Sequence, residues 1–365
     1  MRSAAVIASL ALCAAAATLH AADETPIGEP TALVAFALDK LRTYHVNRSR
    51  LDWSTVEAAA LEKAQAARSN GDLYDIIDGV IRDLGEPHSF LARPRSSLTN
   101  APPASDAPRK PPEIRASLVG DVGYIDLPTF AGGGKREVAF AQDVRASLLK
   151  LDSAPLCGWI VDLRSNEGGN MHAALAGLGR ILGEGRLGSV VGSAGPQFWH
   201  YRSNRMIVSN LGDIENEPVD DAFTSGTSPL VQGVRQTVTL PSDSEEVRQF
   251  ELPVAVLIGK DTMSSGEGIA VSFIGRPLTR TFGKPTRGRS SANVGFRLSG
   301  GGMLIVTYGP FADRNGTIHG PRVVPDQEIT SGSARSTLAS SDETVASAVR
   351  WIHGRKMCPP ERFGK

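Results

Sequence analysis

The chain has 365 residues, enough for two domains or for one large domain with a smaller appendage. Its 39 Lys and Arg balance 39 Asp and Glu without any long basic block, which argues against nucleic acid as a partner. Past the N-terminal run no apolar stretch is long enough to span a bilayer, and neither HExxH nor clustered cysteines appear, so no transmembrane segment, metal or cofactor is expected.

Arg2 precedes an apolar run from Ala4 to Leu19, and small residues at Ala21 and Ala22 precede Asp23 and Glu24. This is the pattern of a secretory signal peptide over residues 1–21, which predicts a periplasmic or secreted mature protein. Leu12 is too large for the small-residue pattern that would make Cys13 a lipid attachment site. Cleavage leaves Cys157 and Cys358, which an oxidising compartment permits to pair. Alternatively Cys157, just before Trp159-Ile160-Val161, is a buried small residue.

Residues 22–97 read as a helical N-terminal domain. Leu33, Phe36, Ala37 and Leu41 share one helical face, Ser54 precedes helix formers from Val56 to Arg68, and Asp72 can cap a third helix that Gly85 ends. Pro87 stops that helix and stiffens the loop carrying His88. Residues 98–112, rich in Pro and Ala, read as a linker. From 113 to 356 strands and helices alternate as in an α/β core, followed by a tail at 357–365.

Within that core, a strand at Val122 to Leu127 leads to an amphipathic helix through Phe140, Val144, Leu148 and Leu151. A second strand, Gly158 to Leu163, runs into Gly168-Gly169 and a helix from about Met171 to Leu182. Glycines at such a junction let backbone approach a ligand closely. Mixed short strands fill Val190 to Phe250, and Leu278 to Phe282 and Phe296 to Tyr308 are β-structured. Asp342 can cap the last helix.

The chemistry concentrates in PVAVLIGKDTMSSGEGI, residues Pro253 to Ile269. A β-branched run, a turn and a helix start follow one another. A serine there is lifted from the strand, and the unpaired amides of the helix N-terminus lie where an oxyanion would form. The alternative reading makes Ser264 or Ser265 the helix cap alone.

Six segments in order, DLGEPHSFL, GYIDLPTF, VDLRSNEGGN, VLIGKDTMSSGEGIA, GKPTRG and VVPD, span most of the mature chain. Together they resemble the C-terminal processing (tail-specific) serine peptidases, in the branch of tricorn protease and interphotoreceptor retinoid-binding protein. The resemblance implies a crotonase-like (ClpP-like) ββα spiral core behind the helical domain, and a peptide or protein substrate. It makes Ser264 the nucleophile, with oxyanion donors from the Ser265 amide and from Gly168 or Gly169. Tail-specific members use a lysine base followed by a glutamine, but Arg289 and Asn293 stand at those places, and arginine cannot act as a base. The tricorn branch uses a histidine in a DGHS-like loop, which His88 matches. Lys284 is the alternative base. An imidazole suits the task near neutral pH and predicts a rise in kcat/KM near pH 6–7.

The usual group that orients the base is absent, since Pro87 and His319 replace the family's residues, leaving Glu86, Ser89 and His319 as alternatives. Too few residues separate His88 from Tyr124 for the PDZ domain that tail-specific members carry. Arg289 is expected either to bind a substrate carboxylate, with Asn293 nearby, or to pair with Asp326. His172 lies beside the glycine loop, and His45, His200 and His353 read as surface residues. A non-catalytic ligand- or peptide-binding protein keeping the fold is the alternative function, and a homo-oligomer is compatible with either.

Overall fold

The computed structural model describes residues 29–94, 112–152, 155–193, 195–212, 214, 234–241, 251–299, 301–330 and 342–358. The signal segment, nearly all of the 98–112 linker, much of 213–250 and the last tail residues lie outside the described residues.

Three helices open the chain: α1 (Pro30–Tyr44), α2 (Trp53–Gln65) and α3 (Asn70–Leu84). The caps differ by a few residues from the sequence expectation. Asp52 rather than Ser54 caps α2, its side chain accepting the Ser54 amide. Ser69 caps α3, and Asp72 reaches back to it from the third helical position in a capping box. Gly85 ends α3 with φ 65°, a conformation glycine adopts at little steric cost.

Six strands form a largely parallel sheet in the order β13 (Gln327–Glu328), β10 (Thr279–Gly283), β9 (Val254–Ile258), β4 (Gly158–Asp162), β3 (Val122–Asp126) and β2 (Arg115–Val119), with only β2 antiparallel to its neighbour. All of β4 and β9 is buried. Along β9, Val254, Val256 and Ile258 face the main core. Ala255 and Leu257 face the last helix, α8 (Glu343–His353), through Val345, Ala348 and Ile352. This is the two-sided burial expected of a central parallel strand.

A second, antiparallel sheet runs β1 (Phe90–Ala92), β12 (Met303–Ala312), β5 (Gly185–Val190), β6 (Gln197–Arg202), β7 (Arg205–Ser209) and β8 (Val234–Thr239), with β11 (Ser291–Arg297) also on β12. Helix α4 (Lys135–Asp152) joins β3 to β4. The helix expected at Met171 to Leu182 is two, α5 (Met171–Gly177) and α6 (Gly179–Leu182), hinged at Leu178. Helix α7 (Ser265–Phe273) follows β9 and is buried from Gly266 onward, consistent with its apolar composition.

The apolar faces of α1 to α3 join one continuous core with the sheets. Their docking is polar as well. Thr307 on β12 accepts the Val46 amide at its carbonyl (2.8 Å) and donates its own amide to Ser89 Oγ (3.0 Å). Cys157 and Cys358 form a disulfide that ties the segment after α8 to the start of β4.

Candidate active site

The turn after β9 is held from both sides. Thr262 Oγ1 accepts the Gly259 amide (3.0 Å) and donates to Leu163 O (2.8 Å), while the Met263 amide donates to Asn166 O (3.1 Å). Ser264 then adopts φ 52° and ψ −122° at the N-cap of α7. For a residue with a Cβ this region costs about 1–3 kcal/mol and persists only where the surroundings enforce it.

Glu267 supplies that enforcement. It is fully buried, one turn into α7, and both carboxylate oxygens are used. Oε2 accepts the amides of Ser264 and Arg289, each at 2.9 Å, and Oε1 accepts the Gly288 amide at 3.3 Å and the Thr286 hydroxyl at closer range. Burial raises the Glu267 pKa and the four donors oppose it. A serine followed three residues later by glutamate is the sequence form of this motif, but its partners at 286–289 arrive through the tertiary fold.

The glycine loop closes over the serine. Gly168 and Gly169 have φ of 105° and 108°, and a Cβ on Gly168 would fall 2.9 Å from Ser264 Cβ and 3.2 Å from the Ser265 nitrogen. A Cβ on Gly169 would meet Phe130 O at 2.1 Å. Only glycine fits both positions. The Gly168 amide donates to Asn166 Oδ1 (3.0 Å), whereas the amides of Gly169 and Ser265 have no acceptor among the described residues. Ser265 Oγ donates to Gly169 O (2.6 Å), so the serine's side chain braces the two strands' junction as well.

His88 is 4% exposed. Glu86 shapes its loop by accepting the amides of His88 and Ser89, both at 2.8 Å. Asn293 Nδ2 donates to His88 O (3.3 Å) and its Oδ1 accepts from Thr307 Oγ1 (2.8 Å), so Asn293 fastens the loop to β12. The ring's Nδ1 lies 2.8 Å from Ser291 Oγ, a contact between positions too distant in sequence to be foreseen. None of Glu86, Ser89 and His319 contacts the ring by hydrogen bond, and His319 Nε2 is paired with Asp313 Oδ2 at 2.9 Å. Burial, then the Arg289 charge, push the His88 pKa down to about 3.

Ser264 and His88 are thus joined by a short chain of contacts. The Ser264 amide and the Arg289 amide share Glu267 Oε2, and two residues beyond Arg289 comes Ser291, the partner of His88. Lys284 is exposed and only its backbone is bonded, to Ile258 O at 3.1 Å. Asp326 accepts from Thr281, not from Arg289. Two histidines read as surface residues are buried instead, His45 fully and His200 at 3% exposure, while His353 is exposed and pairs with Asp121. His45 lies where the helices dock on β12, and its Nδ1 accepts the Asn47 amide. The ligating atoms of Asp121, Cys157, His353 and Cys358 lie within 4.8 Å of one another, with both sulfurs bound in the disulfide.

The largely parallel sheet with its flanking helices, behind a helical N-terminal region, is an α/β core of the crotonase-like (ClpP-like) class. Residues 121–329 match the model of peptidase family S41, and the chain belongs to that family. It is 24% identical over 324 residues to the nisin-resistance protein of Lactococcus lactis subsp. lactis, covering 88% of this chain and 87% of that one. Among solved structures, a lipoprotein from Streptococcus agalactiae superposes with a TM-score of 0.65 at 19% identity, covering 90% of this chain and 98% of the other. The photosystem II D1 C-terminal processing protease gives 0.55 at 14% identity, covering 88% and 97%. No helix among the described residues is long and apolar enough to cross a membrane.

Proposed function

We propose that this protein is an exported serine peptidase that cleaves peptide bonds by acyl transfer, with Ser264 as nucleophile and His88 as general base. The observation that carries this is the strained Ser264 turn, held by Glu267 under Gly168, on a frame that also grips the His88 ring through Ser291. With Nδ1–H donating to Ser291 Oγ, Nε2 keeps its lone pair and takes the Ser264 proton as Oγ attacks the scissile carbonyl. The carbonyl π pair moves onto oxygen, where the Gly169 and Ser265 amides donate to it. Gly168, already bonded to Asn166, shapes the loop instead. Collapse expels the amine, which takes the proton from His88, and water releases the acyl group by the same route.

The signal-like N-terminus and the Cys157–Cys358 disulfide support export. A fluorophosphonate probe should label Ser264 and fail to label Ser264→Ala. An unlabelled, folded wild-type protein would instead support the binding-protein alternative, which a hydroxyl rather than a carboxylate partner of the His88 ring among the described residues favours.

A further inference from the structure

Four side chains that the sequence scatters meet beside α8. Asp121 lies in the turn between β2 and β3, Cys157 just before β4, His353 at the end of α8, and Cys358 shortly beyond it. The end of α8 is pinned close to β4, where a Cβ on Gly158 would meet the Ile352 side chain at 2.7 Å. Past it, the Arg355 and Lys356 amides donate back to Ile352 O (3.0 Å) and His353 O (3.1 Å), and the chain turns so that Cys358 reaches Cys157. The Asp121 carbonyl accepts the Cys157 amide at 2.9 Å. Its carboxylate is close in as well, with Oδ1 2.7 Å from His353 Nε2 and Oδ2 2.9 Å from Cys157 Sγ.

A disulfide sulfur has no proton to donate, so the contact between Asp121 Oδ2 and Cys157 Sγ gains nothing in the oxidised protein. The same two atoms are ordinary ligands of one metal ion. With both sulfurs reduced, the set is two thiolates, an imidazole and a carboxylate, whose ligating atoms lie within 4.8 Å of one another. In a tetrahedral zinc site such atoms stand about 3.3–3.8 Å apart, a difference that side-chain rotation can close. Sulfur and imidazole donors select zinc over magnesium or calcium, which take oxygen. Asp121, His353 and Cys358 are exposed, so the ion has a path in.

We propose that Asp121, Cys157, His353 and Cys358 form a zinc site that assembles when the disulfide is reduced. A dithiol delivers two electrons and two protons, which break the S–S bond into two thiols, and it leaves as its own disulfide. Zinc then displaces the two thiol protons to solvent and forms two Zn–S bonds. His353 binds through the Nε2 lone pair with its proton on Nδ1, and one Asp121 oxygen completes the tetrahedron. The metal keeps the segment after α8 fastened to the start of β4 when the covalent link is lost. Exchange with an oxidised dithiol partner re-forms the S–S bond and expels the ion. The site does not depend on how Ser264 acts.

The test uses the full chain carrying Cys13→Ser, so that Cys157 and Cys358 are its only cysteines. It is reduced with a phosphine, which becomes phosphine oxide and adds no competing thiol. Zn2+ is then titrated against a chromophoric chelator, and Co2+ is titrated in parallel. The reduced protein should take up one zinc ion per chain. With cobalt it should show thiolate-to-metal charge-transfer absorption and the intense visible bands of tetrahedral coordination, and the oxidised protein should show neither. His353→Ala and Asp121→Ala are at exposed positions that leave the core intact. Each should weaken zinc binding to the reduced protein by about a hundredfold or more, beyond the loss of an outer-shell partner. Zinc should also raise the Tm of the reduced protein and leave that of the oxidised protein unchanged. No uptake by the reduced protein, equal uptake by the oxidised one, or an affinity unchanged in either variant would overturn the proposal.

Discussion

His88 Nδ1 lies 2.8 Å from Ser291 Oγ, so a neutral hydroxyl occupies the place that a carboxylate takes in a Ser-His-Asp triad. A hydroxyl can fix the tautomer and the ring plane, but it offers little to the imidazolium that forms when the base is protonated. Ser291→Ala should lower kcat by about tenfold to a hundredfold with KM little changed, since the ring loses its tether and not its chemistry. Ser291→Asp should restore kcat and shift the acid limb of the rate profile upward. Steady-state kinetics of the two variants check this, and equal kcat in wild type and Ser291→Ala would remove Ser291 from the mechanism.

The pH dependence follows from burial. A free imidazole predicts a rise near pH 6–7, but the buried His88 ring is pushed down to about 3 and is neutral well below that range. In the free enzyme kcat/KM should therefore change little between pH 7 and pH 5. Stability moves in the opposite sense to a salt-bridged histidine. Between the ordinary imidazole value and about 3, the unfolded chain binds a proton at His88 that the folded chain refuses. Stability is thus fully present above the unfolded pKa and falls as pH drops through this window, by about 1.4 kcal/mol per pH unit for this one group. His45, also lowered by burial, adds to the slope. Thermal melts from pH 7 to pH 4 measure it, and a flat Tm would contradict the buried neutral rings.

Glu267→Gln should be more damaging than its size implies. An amide NH2 in place of one oxygen would face the Ser264 and Arg289 amides, or the Thr286 hydroxyl and Gly288 amide, donor against donor. Each buried donor left unsatisfied costs about 1–3 kcal/mol. Activity should fall at least a hundredfold, by losing the Ser264 geometry, and urea unfolding should show a loss of several kcal/mol. Retained activity would mean that the serine turn does not need the carboxylate.

The Cys157–Cys358 disulfide closes a loop of 201 residues. In the chain-entropy model this restricts the unfolded state by about 5 kcal/mol. The bond lies behind α8, on the opposite face of the parallel sheet from the main core. Cys157→Ser with Cys358→Ser should therefore lower the denaturant midpoint clearly while leaving kcat near wild type. A large fall in kcat at permissive temperature would place α8 in communication with the site.

Much of the framework was legible because it rests on local rules. Gly85 ends α3, β3, β4 and β9 appear as apolar runs, and SSGE after a strand marks a helix start with a reciprocal glutamate. What was not legible depends on chain segments meeting from afar. The partner of His88 is over two hundred positions away on β11, and no local pattern marks Ser291. His45 and His200 look like surface residues because nothing in their neighbours announces the docking that buries them. Leu178, where one amphipathic stretch becomes two helices, has no proline to mark it. The Asn166 side chain, which takes the Gly168 amide, narrows the choice of proposed oxyanion donors in a way that two adjacent glycines could not.

Thr307 joins the Val46 amide, Ser89 and Asn293 to a strand of the core, so the loop bearing His88 and the N-terminal helices rest on the same anchor. On the proposed mechanism the nucleophile belongs to one part of the chain and its base to another, and neither alone can cut. On that mechanism, a molecule whose helical region has not docked on β12 would bring the serine and its base together only on completing its fold, so proteolytic capacity would read out completed assembly.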